Sequence, residues 1–233
     1  MEGLIQSIQS SIKELFDEPI FIKPRGNGIF ILENNNQSIA YNYRKDSPIE
    51  TNVVKWFDDF WIYIQVGFKR INIEQNLSSE NSISNKRPSR IDYLKRLENY
   101  HLKFGDDFFQ TIITISIYQG DYNPENKRQL FRAEWDNFEG ISDKHPQPHW
   151  QFYPSNVHLD ENFENFEREE NIPDGFLATI KKKEIDIRKF HFAMNGNWSN
   201  GFGHFHKIND KAALINWFQG LLIHIKTQLE FVK

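Results

Sequence analysis

Phe109-Gln-Thr-Ile-Ile-Thr-Ile-Ser-Ile-Tyr-Gln119 is the stretch on which the fold turns. It is rich in β-branched residues and contains neither Gly nor Pro, which is the composition of a strand inside a sheet. After it, a turn at 121–127 leads to two more strand candidates, Gln129–Asp136 and Pro148–Tyr153. Before it, Ile91, Leu94, Leu97, His101 and Phe104 share one helical face, which predicts a helix over 90–104. The preceding stretch, 74–90, has almost no apolar content and reads as a mobile loop or an insertion.

Residues 51–68 satisfy two periods at once. Val53, Val54, Phe57, Phe60, Trp61 and Ile64 fit a helix, while Ile62, Ile64, Val66 and Phe68 alternate as a strand would. A helix over 51–66 is the expectation. Further out, three short extended runs between 20 and 44 are separated by Gly- and Asn-rich turns and predict a β-meander. Leu4, Ile5, Ile8, Ile12, Leu15 and Phe16 make one stripe, so 3–17 is expected to be an amphipathic helix that Pro19 ends. Toward the C-terminus, a strand is expected at 187–194. A long helix is expected at 210–232, marked by Leu214, Trp217, Phe218, Leu221, Leu222, Ile225 and Leu229. The sum is a single α+β domain over 1–233, with a mostly antiparallel mixed sheet of about five to seven strands under about four helices.

Composition narrows the chemistry. The 233 residues include no Cys, which removes disulfides, thiolate metal sites and thiol nucleophiles. No apolar run approaches the length of a membrane span and no signal peptide pattern opens the chain, so a cytoplasmic, non-membrane protein is expected. Heavy use of Phe, Ile, Asn and Lys matches an AT-rich bacterial genome. The 21 Phe and 6 Trp are read mainly in that light, and otherwise as core or pocket material. There is no Walker loop, dinucleotide fingerprint, nucleophile elbow, zinc-protease helix or calcium loop.

One constellation stands out: Leu130-Phe-Arg-Ala-Glu-Trp-Asp136 followed by His149-Trp-Gln-Phe-Tyr153. Strand alternation puts Arg132, Glu134 and Asp136 on one face, and His149, Gln151 and Tyr153 on one face of the second run. If the two strands pair, these polar faces meet. Such a face is either a solvated sheet surface or a site. As a site, Glu134, Asp136 and His149 would carry catalysis and Arg132 would neutralise transition-state charge.

His204 and His206 have the i, i+2 spacing of two imidazoles on one extended face. With His149 and a carboxylate they would accept Zn²⁺, Mn²⁺ or Fe²⁺, the one cofactor class the sequence allows for. Trp198, Phe202 and Phe205 interleave with Gly and polar residues in a loop, and with Trp150, Gln151 and Tyr153 they form a candidate binding surface. Basic clusters at 86–96 and 181–189 could track phosphates, but the net charge of −4 opposes a dedicated nucleic-acid binder. Two functions follow as expectations. One is an accessory component of a bacterial multiprotein system, anti-phage defence included, that binds a same-operon protein partner or nucleic acid. The alternative is a metal-dependent phosphodiesterase or nuclease using Glu134, Asp136 and His149.

Overall fold

The computed structural model describes residues 1–44, 47–74, 89–136, 149–152 and 209–232. The expected strand at 187–194 and most of the 74–90 loop lie outside them. In chain order the strands are β1 (Phe21–Gly26), β2 (Ile29–Glu33), β3 (Gln37–Arg44), β4 (Ser47–Phe57), β5 (Phe60–Arg70), β6 (Leu102–Phe104), β7 (Asp107–Gln119), β8 (Arg128–Asp136) and β9 (His149–Phe152). The helices are α1 (Glu2–Ile12), α2 (Arg90–Tyr100) and α3 (Lys211–Val232). All nine strands join one sheet, and every pairing among the described residues is antiparallel.

The Phe109–Gln119 run lies in β7, the sheet's axis. β7 pairs with β5 from Phe60↔Gln119 to Arg70↔Phe109, and on its other edge with β8. Alternation sends Ile113, Ile115 and Ile117 to one face, where they join Ile62, Ile64 and Val66 of β5 and Phe131, Ala133 and Trp135 of β8. Helices α1 and α3 cover this face and touch each other. Leu214, Phe218, Leu222, Ile225 and Leu229 of α3 are buried against it, each contributing about 1.5–3 kcal/mol relative to exposure. Leu4, Ile5, Ile8 and Ile12 of α1 do the same, as their spacing predicts.

The expected helix at 51–66 is instead two strands, β4 and β5, joined at Asp58-Asp59. Asp58 has φ of 45°, a left-handed conformation that Asp tolerates in a tight hairpin. The helical spacing was coincidental, because this hairpin is buried on both faces. Val54, Ile62 and Ile64 enter the main core, whereas Val53 and Trp61 form a second cluster with Ala40 and Tyr118 on the opposite face. The expected helix at 90–104 is also shorter. Ser89 caps α2, its Oγ accepting from the Asp92 backbone N–H at 3.1 Å, and the helix stops at Tyr100. Leu102–Phe104 then turns through Gly105 (φ 59°) to pair with β7. Among the described residues this leaves three α-helices and nine strands, rather than about four helices and about five to seven strands.

The sheet forks at β5. One edge of β5 takes β2 at Ile29↔Gly67 to Ile31↔Gln65, and the same edge takes β4 at Val54↔Ile62 to Phe57↔Phe60. The two hairpins β1–β2 and β3–β4 therefore diverge from one strand. The first is closed tightly by Asn27-Gly28. A Cβ on Gly28 would lie 2.1 Å from the Phe68 carbonyl oxygen, so only glycine fits. The second bends across the polar face until β3 approaches β8.

Candidate functional site

Sheet register assembles the polar face in rungs. Tyr63, Ser116, Arg132 and Gln151 are successive partners across β5, β7, β8 and β9. The next rung is Gln65, Thr114, Glu134 and His149. At a strand spacing of about 4.8 Å, each rung spans about 14 Å. The expected pairing of the two sequence motifs is thus present: Arg132 faces Gln151, and Glu134 faces His149. Asp136 continues β8 on the same face by alternation. The side chains of Asp136 and His149 lie outside the described residues, as do Tyr153, Trp198, Phe202, His204, Phe205 and His206 altogether.

Arg132 is the centre of what is described. Only 6% exposed, it lies with Nε 3.0 Å from Glu134 Oε1, and its Nη2 donates to Gln151 Oε1. The contact to Glu134 is an ion pair rather than a directed hydrogen bond, and Nη1 has no partner among the described residues. Thr114 Oγ1 donates to the same Glu134 oxygen at 3.4 Å. Ser116 Oγ and both ends of the Gln129 amide are likewise buried without a hydrogen-bond partner among the described residues. This is a dense polar layer inside a fold whose other face is apolar. Buried polar atoms are seldom left unpaired, so such a layer is where donors and acceptors from beyond the described residues, from water or from a ligand would be accommodated.

Trp150 points away from this layer. It packs edge-on to Phe131 at 5.7 Å between ring centres and belongs with the apolar core, while its neighbour Phe152 is 41% exposed. The candidate binding residues of β9 therefore divide, Gln151 on the polar face and Trp150 on the other. No group of three or more His, Asp or Glu suited to a metal occurs among the described residues.

Sequence reading missed the near end of the rungs and the cleft above it. Tyr63 and Gln65 were hidden in the helix expected at 51–66, and Thr114 and Ser116 in a strand read only for its β-branched composition. The available signal was their alternation with Ile62, Ile64, Ile113 and Ile115. Where β2 and β4 part, a cleft of about 400 Å³ opens over Tyr63, Gln65 and Thr114. Arg25 and Glu33 form one wall, with Arg25 Nη2 donating to Glu33 Oε1 and Lys23 Nζ 3.1 Å from Glu33 Oε2. Asn42 and Thr51 form the other.

The β3 end of the face is pinned by cations. Lys127, 3% exposed, donates from Nζ to Ser38 Oγ at 2.7 Å and to the Tyr122 carbonyl at 2.8 Å. Its Nζ lies 4.4 Å from the Trp61 ring centre, and that of Lys55 lies 4.6 Å from the same ring. Burial holds both lysines below their ordinary pKa, partly offset by Asp121 for Lys127 and by Asp59 and Asp58 for Lys55. No helix among the described residues is long and apolar enough to cross a membrane. Compared with family models, curated proteins and solved structures, the chain matches none of them.

Proposed function

We propose that the chain is a non-catalytic accessory component of a bacterial multiprotein system, anti-phage defence being one such setting, and that it binds a partner protein at the β8–β9 end of the polar face. The supporting observation is the mutual engagement of Arg132, Glu134 and Gln151. Arg132 is held between Glu134 and Gln151, which favours a fixed polar cluster over a poised acid, base or ligand. On the opposite side of the same edge strand, Phe152 is a large, exposed apolar side chain on the outermost strand of the described sheet, the type of residue that anchors interfaces. A protein partner fits better than nucleic acid, because the Arg132 charge is compensated by Glu134 and the chain carries a net −4. Expression of the tagged chain with the genes of its own operon tests this. A stoichiometric complex that Phe152→Glu disrupts is expected. A monodisperse monomer at high concentration, with no neighbouring gene product retained, would overturn it.

A second reading has its own support. The register pairs Glu134 with His149, and Asp136 lies two positions along the same strand, which supports reading this end of β8 as a metal-dependent phosphodiesterase site. Metal analysis of the purified chain and a nuclease assay of His149→Ala decide it. Activity in the wild type that the variant lacks would replace the first proposal.

A further inference from the structure

The cleft at the fork of the sheet is built from elements that partner docking at β8 and β9 does not use. Six neutral hydrogen-bonding side chains converge on it: Asn42, Thr51, Asn52, Tyr63, Gln65 and Thr114. Asn42 is 7% exposed and its Oδ1 is buried without a hydrogen-bond partner among the described residues, although it lines an open space. A buried amide oxygen of this kind is costly unless something donates to it. The cleft thus carries an acceptor that its own walls do not satisfy.

The charges define the ligand by exclusion. Among the described residues Arg25 is the one cation lining the cleft, and its guanidinium is paired with Glu33, which Lys23 also neutralises from outside. Glu50 adds a further carboxylate to the lining. A phosphate or carboxylate entering here would meet no uncommitted positive charge among the described residues and would lose its hydration. A ligand that is neutral, with alternating donors and acceptors, matches the walls instead. Hydroxyl groups suit them well, since each both donates and accepts and can serve amide oxygen, amide nitrogen or another hydroxyl. Ile31, Leu32 and Ile49 supply apolar surface beside the polar groups, as the C–H faces of a sugar ring require. A volume of about 400 Å³ lies near the small end of the range for ligand pockets, fitting one or two sugar rings rather than a long chain.

We propose that the cleft between the β1–β2 and β3–β4 hairpins is a binding site for a neutral mono- or disaccharide, with Asn42, Thr51 and Gln65 holding its hydroxyls. The site is independent of partner docking at β8 and β9. Amide chemical shifts of the full chain, isotope-labelled, would be followed during titration with glucose, galactose, mannose, N-acetylglucosamine, maltose and cellobiose. Inorganic phosphate and glucose 6-phosphate serve as anionic counterparts. At least one neutral sugar should give saturable shifts centred on Asn42, Thr51 and Gln65, with phosphate giving none there. Losing one such hydrogen bond in Gln65→Ala should weaken binding by between about threefold and tenfold. Thr51→Arg, which fills the cleft from an edge hairpin, should abolish it with an unchanged far-ultraviolet spectrum. The proposal fails if none of the six sugars shifts the cleft residues, if the anions bind there as well as the sugars do, or if Thr51→Arg binds undiminished.

Discussion

The two faces of the central sheet are made by the same strands and differ in almost everything else. On one side Ile113, Ile115 and Ile117 meet Ile62, Ile64, Phe131 and Trp135 under two helices, with little left for hydrogen bonds to decide. One residue further along each strand, Thr114, Ser116, Tyr63, Arg132 and Gln129 make a second interior, polar and partly unsatisfied, under the bent β3–β4 hairpin. The apolar face gains from burying area in any close-packed arrangement, whereas the polar face gains only where each donor meets an acceptor. The first is therefore tolerant in composition and the second is demanding in geometry. That is why recognition is expected on the second.

Mutations on the two faces sharpen this contrast. Phe218→Ala under the apolar face should cost about 3–5 kcal/mol, read as a lower urea midpoint at unchanged slope. A loss under about 1 kcal/mol would mean that α3 covers the sheet more loosely than its buried side chains indicate. On the polar face, Arg132→Met leaves the largely shielded Glu134 without this cation and should cost about 3 kcal/mol. The double variant Arg132→Met/Glu134→Leu should recover a large part of that loss. If it recovers nothing, the pair contributes net stability and the two faces are more alike than proposed.

Smaller effects come from the cationic pin. Because Lys55 and Lys127 are held below their ordinary pKa, the unfolded chain binds more protons just under the free lysine value of about 10.4. Stability from these groups should therefore rise with pH through that alkaline window, provided other groups are matched by a control. Denaturation of Lys127→Met from pH 8 to 10 should show a flatter dependence than the wild type. Equal slopes would show that the Trp61 site does not desolvate the lysine. The smallest change is expected for Thr114→Val, within about 1 kcal/mol of wild type, since its bond to Glu134 is long and the replacement nearly fills its volume.

The sequence made the apolar face readable, and the polar one only in part. Regular spacing in α1, α3 and β7 has one cause, a single buried stripe, and the pattern reports it directly. The stretch 51–68 has two causes superposed. Trp61 and Val53 are apolar on the face that is otherwise polar, so the strand's alternation is filled in and a helical period emerges by accident. The Asp58-Asp59 turn was the local clue that outweighs such a pattern. For the site, alternation alone could place Arg132 with Glu134, and His149 with Gln151, on one face of each strand, and the register then pairs the two strands. Tyr63, Gln65 and Asn42 could not, because the cleft they line exists only where two hairpins leave the same edge of β5. Nothing in a linear pattern announces a fork.

The position of α3 in the chain bears on how the protein is made. All nine described strands are complete by Phe152, whereas the helix that shields their apolar face spans Lys211–Val232. Of the described elements that cover the Ile, Phe and Trp face of the sheet, α1 is therefore made before the strands and α3 well after them. Nascent chains stalled between these two points should be the most aggregation-prone form of the molecule. Supplying α3 as a separate peptide should rescue them.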